Sequence, residues 1–514
     1  MASARLPHAA TATGVSATVE LSPTRDSPFP SPREDEAETR STDTTDAASG
    51  GDGMQAHPNE PMWRRLLRLN FVQRCLSAII LAPLVTIFLW QSPAFATATV
   101  CTGLTSLCSY EYAWLAHRIQ HRFRRQFSLI LGDSREPVGE MEPSLAQEPR
   151  SPTSLRRLSH LSNTGRKDGE GAAQSTTPEP RDDVTPRSEA VIDQDFDDDE
   201  IFKHTAVTDI ANRFFGGHEW IAAMITSAFV AAFFSMLFLF AIVRNFPDLK
   251  KTEFYEFRIF YTITTDYISA LCACFTPNRR YAVLLLGQNT IFTLLTIYST
   301  ICPINQFTCS IDLEPVQLVL VTIGFLLVFR IFTSRDVADA ASLFALDLLG
   351  FIYIIGTLSV LVAFVDDDKR ALYRKLLIVL LYVTWASDSG AYVTGKLLVR
   401  WRYPYYHPLA AHLSKNKDYE GTLGAIIWGI AAMLVASNLL DVQGSVWIKI
   451  LFTVLGVIVG RFGDLFESLL KRAANVKDSG TLIPGHGGVL DRIDALMFIT
   501  LVFARYYSTV IGLE

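Results

Sequence analysis

Apolar residues in this chain come in blocks of helical, membrane-crossing length, separated by short polar punctuation. About 20 such residues cross the hydrocarbon core of a bilayer as a helix. The pattern predicts spans near Val72–Trp90, Phe95–Ala116, Trp220–Val243, Tyr281–Ile301, Val316–Phe332, Ala340–Val365, Leu372–Trp385, Thr422–Leu440, Val446–Gly460 and Ala495–Gly512. The fold class expected is all-α, a polytopic integral membrane bundle of roughly 8–10 transmembrane helices, because only helices or closed barrels satisfy their backbone in lipid. Lys250 to Thr276 is ambiguous. FYEFRIFYTITTDYISALCACF is aromatic and apolar but interrupted by Glu256, Arg258 and Asp266, so it is expected to lie in the interface or tuck against the bundle.

Two tracts have the opposite character. Residues 1 to about 60 and about 126 to 200 are rich in Ser, Thr, Pro, Asp, Glu and Arg and poor in aromatics. Such segments bury too little surface to offset the entropy of ordering. The expected organisation is a disordered N-terminal tail (1–62), a first transmembrane hairpin (63–125), a disordered acidic and Ser-rich cytoplasmic insert (126–202), a transmembrane bundle (203–383) and a catalytic transmembrane region (384–514). This partition explains how 514 residues can be 49% hydrophobic and still 19% charged. The net charge of −6 says little about partners, since acidic runs such as Asp195–Glu200 fall in the insert.

Arg64, Arg65 and Arg68 precede the first span, and Arg118, Arg122, Arg124 and Arg125 follow the second. Both ends of that hairpin are therefore expected on the cytoplasmic, matrix or stromal side. The opening MASARLPHAATATGVSATV has no acid before Glu20 and is faintly like a transit peptide, but it lacks the apolar core of a secretory signal. A plain tail fits equally well. Of seven cysteines, Cys75, Cys101, Cys108, Cys272 and Cys274 fall in or near apolar runs and read as small hydrophobes. Cys302 and Cys309 share a polar loop, where an oxidising lumen would permit a disulfide.

Candidate chemistry concentrates between the last two apolar blocks. Arg461–Asp494 reads RFGDLFESLLKRAANVKDSGTLIPGHGGVLDRID and holds Asp464, Glu467, Lys471, Arg472, Lys477, Asp478, His486, Asp491, Arg492 and Asp494. Charges beside membrane-length segments are expensive and so point to function. At about 100° per residue, Asp464, Ser468, Lys471 and Asn475 share one helical face. Pro484 and the glycines around His486 break the helix and are expected to leave backbone N–H groups free for phosphate oxygens. Asp491 and Asp494 then resume at i, i+3. Carboxylates for a hard cation and basic groups for polyphosphate are what phosphoryl transfer requires. An interfacial loop that merely meets headgroups is the bland alternative.

Two further polar runs adjoin this stretch. WASDSGAYVTGKLLVR, Trp385–Arg400, ends an apolar block with Asp388, Ser389 and Lys396. Asp388 at membrane depth needs a partner or a metal, and a buried structural Asp fits as well. LSKNKDYEG, Leu413–Gly421, follows with Ser414, Lys417 and Glu420. In the second span, Glu111 of SYEYAWLA reads first as a carboxylate snorkelling to water.

From Ser468 to Asp494, the residues Ser468, Lys471, Arg472, Lys477, Asp478, Gly480, Pro484, His486, Gly487, Gly488, Asp491, Arg492 and Asp494 resemble the signature of the phosphatidate cytidylyltransferases, or CDP-diacylglycerol synthases. Trp385–Arg400 is similar to the family's D-S/T-G-A-Y block. Leu413–Gly421 is similar to its S-P-x-K-T-x-E-G block, but Lys415 stands for Pro and Asp418 for Thr. Glu111 resembles a weaker family feature, a Glu among aromatics. The resemblance implies CTP and phosphatidic acid as substrates, the lipid bilayer as site of action, a homodimer and no nucleic acid partner. It implies Mg²⁺ on Asp464, Asp491 and Asp494, with room for a second, monovalent cation. It places Asp464, Lys471, Arg472, Lys477, Asp478, His486, Asp491, Arg492 and Asp494 in catalysis, and Asp388, Ser389, Lys396, Ser414, Lys417, Glu420, Ser468, Gly487 and Gly488 in substrate binding. The endoplasmic reticulum and a plastid-type or mitochondrial membrane both stay open. A CTP-dependent polyprenol kinase and an ion transporter are the rival classes.

Overall fold

The computed structural model describes residues 83–90, 93–130, 204–245, 249–250, 253–301, 314–363, 370–404, 407–482 and 487–511. All of them belong to one unit, Ile79–Glu514. The N-terminal tail, the insert beyond Ile130 and the Cys302–Cys309 loop lie outside the described residues, as do Cys75 and His486. Cys101, Cys108, Cys272 and Cys274 are buried free thiols, as small hydrophobes should be.

A short helix over 83–90 is followed by α1 (Pro93–Ile130), α2 (Thr208–Phe214), α3 (Glu219–Asn245), α4 (Glu253–Cys274), α5 (Arg279–Ile301) and α6 (Pro315–Thr333). Next come α7 (Val337–Gly350), a π-helical turn over Phe351–Gly356, α8 (Thr357–Val362) and α9 (Arg370–Arg400). A small hairpin, β1 (Pro408–Ala410) with β2 (Ser414–Asp418), leads into α10 (Tyr419–Leu439), α11 (Val446–Ala473) and α12 (Leu490–Ile511). Among the described residues, seven helical segments are long and apolar enough to cross a membrane: α3, α5, α6, α7 through α8, α9, α10 and α11. Their outer faces expose large apolar groups, such as Phe229, Phe233 and Phe240 on α3 and Leu320 and Phe332 on α6. A soluble protein avoids apolar patches of that extent, whereas lipid tails cover them.

Two predicted spans are helices of a more polar kind. On α1 the small polar residues point inward: Thr102 donates to the Ala98 carbonyl (2.7 Å) and Thr105 to that of Cys101 (2.8 Å). Small residues lower mean hydropathy yet permit close helix packing. On α12 the first turn carries Asp491, Arg492 and Asp494 ahead of the apolar part. The ambiguous segment resolves as α4, which tucks against α3 and α1 rather than lying apart: Tyr261 Oη is 2.9 Å from Thr102 Oγ1, and Ser235 donates to Asp266 at 2.7 Å. The span predicted to end at Trp385 continues to Arg400, so Asp388 and Lys396 sit on helix α9 instead of after it.

The core runs through α1, α5, α7, α8, α9, α11 and α12 and includes Val379, Leu380 and Val383 of α9 and Phe503, Tyr506 and Tyr507 of α12. Tyr507 ties the two helices by donating to the Leu376 carbonyl at 2.5 Å. Arg330 is a charge buried in this packing, 1% exposed, whose Nε and Nη2 donate to the two oxygens of Asp347 at 2.5 and 2.9 Å. This bidentate pair joins α6 to α7.

Removing one partner of such a pair strands the other charge. Arg330→Met is expected to cost about 3–5 kcal/mol, and Arg330→Met with Asp347→Leu to recover most of that loss. Thermal unfolding in detergent decides: equal losses in the single and double variants would show that the pair is not what α6 and α7 depend on.

Candidate active site

The site is assembled where α11 leaves the apolar core. Gly456, Gly460 and Gly463 line the side of α11 that faces α12. A Cβ at Gly463 would come within 2.6 Å of Phe498 and 2.9 Å of the Asp494 carbonyl. The bare backbone lets α12 approach closely enough to set Asp494 beside Asp464 and Glu467, all three largely buried.

On α11, charges pair along the helix. Arg461 Nη1 donates to Asp464 Oδ2 at 3.0 Å. Lys471 Nζ lies 2.7 Å from Glu467 Oε2 and 2.6 Å from Asp491 Oδ1, bridging α11 to α12. The shared face holds for Asp464, Ser468 and Lys471 but not for Asn475. There α11 has already stopped at Ala473, and Asn475 takes the left-handed conformation at φ +57°. Val476 N–H then bonds the Lys471 carbonyl (2.9 Å) and Asn475 N–H that of Arg472 (3.1 Å), a Schellman closure with Asn at the left-handed position. Arg122 of α1 reinforces this end, donating to the Arg472 and Ala473 carbonyls at 3.0 and 2.7 Å.

The β-hairpin delivers a third element. Lys417 Nζ donates to the Asp464 carbonyl (2.6 Å) and to Ser468 Oγ (3.3 Å), and lies 3.9 Å from Asp464 Oδ2. Burial pushes the Lys417 ammonium below its ordinary range, against the pull of Asp464, Asp494 and Glu467. The family departure at Asp418 has a structural role. Asp418 caps α10, accepting from Gly421 N–H at 2.7 Å, a task that Thr also performs. Asp388 is exposed on α9 within electrostatic reach of Asp464, Arg461 and Lys417.

Asp491 is the most heavily engaged carboxylate. Besides Lys471, it accepts from Ser479 N–H (3.1 Å) and Gly488 N–H (2.9 Å). Burial pushes its carboxyl up, but Glu467, Lys471 and the Gly488 N–H outweigh this and hold it well below the usual carboxylate range. Gly487 is in the left-handed region at φ +81°, and a Cβ there would sit 2.9 Å from Asp491 Oδ2. Within the run expected to offer free donors, Gly488 N–H is already taken by Asp491, while residues 483–486 lie outside the described residues. The Ser479, Gly488, Val489 and Leu490 N–H groups are all consumed by protein carboxylates, Asp491 and Glu111.

Glu111 is not the snorkelling acid expected from its place on the helix. It is 1% exposed and accepts from Ser479 Oγ (3.0 Å), Val489 N–H (2.8 Å) and Leu490 N–H (2.8 Å). The sequence signal was the intramembrane position itself, where a carboxylate unable to reach water must find donors. Glu467 and Arg461, given no role by the resemblance, also belong to the cluster, and i, i+4 spacing to Lys471 and i, i+3 spacing to Asp464 announce both pairs.

The remaining candidates have other surroundings. Lys477 and Asp478 are exposed on the loop and line a cavity of about 440 Å³ with Tyr110, Trp114 and Arg118. Arg472 and Arg492 are exposed at the ends of α11 and α12, with Arg472 donating to the Leu413 and Val476 carbonyls at 3.3 Å each. Glu420 turns away from Lys417 to meet His407 Nδ1 at 2.7 Å. Ser389 is exposed beside Asp388, Lys396 is exposed over the Tyr392 ring, and Ser414 opens β2.

The model of the cytidylyltransferase family matches residues 210–510. A phosphatidate cytidylyltransferase of Staphylococcus haemolyticus is 37% identical over 151 residues, 29% of this chain and 51% of that protein. One from Staphylococcus epidermidis is 40% identical over 117 residues, 23% of this chain and 43% of that protein. One from Staphylococcus aureus is 38% identical over 117 residues, with the same shares. The chain spans about half the length of the curated relatives it matches.

The lowered Asp491 carboxyl has a pH signature. A depressed folded-state value contributes stability that is present above the unfolded value, near 3.9, and lost as pH falls through the folded one. The stability gap between the wild type and Asp491→Asn is expected to shrink as pH falls below about 4. A gap that does not shrink there in thermal unfolding would break the assignment.

Proposed function

This chain belongs to the cytidylyltransferase family, and from that premise we propose that it joins CTP to phosphatidate, forming CDP-diacylglycerol and releasing pyrophosphate. An ionised oxygen of the phosphatidate phosphate attacks the α-phosphorus of CTP. The bond from that phosphorus to the β-phosphate oxygen breaks, and its electron pair leaves with pyrophosphate. The nucleophile is already an anion, so the protein needs no side-chain nucleophile. Its work is positioning and charge neutralisation.

The observation that carries this reading is the meeting of three distant segments. Lys417 of β2, Asp464 through Lys471 of α11, and Asp491 with Asp494 of α12 form one cluster at the polar end of apolar helices. Phosphatidate stays in the leaflet and CTP arrives from water, so such a site must open near the interface. Lys417 and Arg461 would hold phosphate oxygens from within the cluster, and the exposed Arg472, Lys477 and Arg492 would do so from its rim.

Carboxylates in the cluster outnumber cations, with Asp388, Asp464, Glu467, Asp491 and Asp494 facing Lys417, Arg461 and Lys471. Glu467 Oε1 is buried without a partner. Among the described residues, no three His, Cys, Asp or Glu side chains converge into a ready metal cage. This donor chemistry suits Mg²⁺, which is commonly held by one or two carboxylates together with substrate phosphates. Asp464 and Asp494 would hold the ion, and Asp491 would join them only by giving up Lys471. When bound, Mg²⁺ supplies neutralisation of the triphosphate and of the departing pyrophosphate. Homodimerisation is part of the same reading and rests on the family likeness alone.

The test is incorporation of label from CTP into chloroform-extractable lipid by the purified, detergent-solubilised protein. Label at the α-phosphate is expected in lipid only with phosphatidate and Mg²⁺ supplied. Asp464→Asn and Lys417→Met should each lower kcat by about 10²–10³ while the protein still inserts and unfolds cooperatively. Transfer of the γ-phosphate to a polyprenol, with no cytidine label in lipid, would replace this reading with a kinase.

A further inference from the structure

Helix α1 precedes the family match, which begins at residue 210, yet it carries two side chains aimed at the ends of the catalytic helices. Arg122 meets the last carbonyls of α11 and Glu111 the first N–H groups of α12. Each sign suits its target, because a helix presents partial positive charge at its N-terminus and negative at its C-terminus. The two residues stand about three turns apart on one rigid helix, at 1.5 Å rise per residue.

Glu111 is the more committed of the two. Its oxygens receive donors from two separate stretches: Ser479 Oγ from one, and Val489 and Leu490 N–H from the other, as far as 379 residues away in sequence. The chain around it is shaped to the carboxylate. A Cβ at Gly480 would lie 2.7 Å from Glu111 Oε1, and one at Gly488 would lie 2.6 Å from Oε2 and 2.1 Å from Ser479 Oγ. The neighbouring N–H groups of Ser479 and Gly488 are thereby aligned on Asp491, which in turn holds Lys471.

We propose that Glu111 is a positioning residue for nucleotidyl transfer: its buried carboxylate ties Ser479 to Val489 and Leu490 and so sets Asp491 and Lys471 in register. The proposal rests on the cytidylyltransferase reading of the site. Glu111 touches no reacting atom and acts through the loop. A carboxylate can accept all three donors, whereas an amide has one oxygen and turns N–H against N–H. The same geometry predicts a size complementarity, since shortening the acid makes room for a methyl group at position 480.

The experiment uses the full chain in detergent, with Glu111→Gln, Ser479→Ala, Gly480→Ala and the pair Gly480→Ala with Glu111→Asp. Steady-state labelling is expected to show kcat lowered about tenfold to a hundredfold in Glu111→Gln, with KM for CTP within about threefold of wild type. Ser479→Ala, which leaves the acid in place, should fall less. The paired variant should recover activity over Gly480→Ala alone. Hydrogen exchange should quicken in peptides spanning 479–490 and stay unchanged in α9 and α10. Wild-type kcat in Glu111→Gln overturns the proposal, as does exchange quickened throughout the bundle, which would make Glu111 a general stabiliser. If the wild type itself fails to label lipid, the cytidylyltransferase reading falls, and the exchange contrast still decides whether Glu111 holds the loop.

Discussion

An ion near hydrocarbon must find its counter-charge or its hydrogen bonds inside the protein, and the architecture follows from that constraint. Arg330 meets Asp347 in the bundle, Lys471 is shared between Glu467 and Asp491, and Lys417 reaches α11 from a hairpin otherwise held by two short strands. Each pairing ties separate elements together, so charge satisfaction doubles as tertiary organisation. The carboxylate excess around Asp464 and Asp494 is the exception. It leaves a centre that a cation and phosphate groups would complete, which is where chemistry is proposed.

Close packing and charge are coupled in this site. The glycines on α11 bring α12 near enough for Asp494 to approach Asp464, and those flanking the turn leave room for Glu111 between Ser479 and Leu490. A side chain at any of these positions would push apart groups whose value lies in their separation. Small residues here are not slack in the sequence. They set the distances over which the carboxylates interact.

Much of this was legible along the chain because local chemistry determines it. Membrane-length apolar blocks became helices, since a backbone in lipid has few other ways to satisfy itself. Asp464, Ser468 and Lys471 share a face by helical periodicity alone. Pro484 and the glycines marked the break between α11 and α12. The helix end before Asn475 was harder to place, because a residue tolerated within a helix is equally suited to the left-handed closure after it. Lys396 and Glu420 looked equal to Lys417 in the sequence, yet they face Tyr392 and His407, since orientation about a helix or hairpin depends on what packs behind it.

The sequence by itself determined the membrane class, the helical periodicity and the stretch where the chemistry lies, all consequences of near-neighbour spacing and of what lipid tolerates. Only the tertiary structure decided that Glu111 is an anchor rather than a snorkelling acid, that Lys471 is bound between two carboxylates, and that the Ser479, Gly488, Val489 and Leu490 N–H groups are already occupied. Those outcomes depend on donors and acceptors hundreds of residues apart. No periodicity encodes such a meeting, because it is made by the packing of α1, α11 and α12.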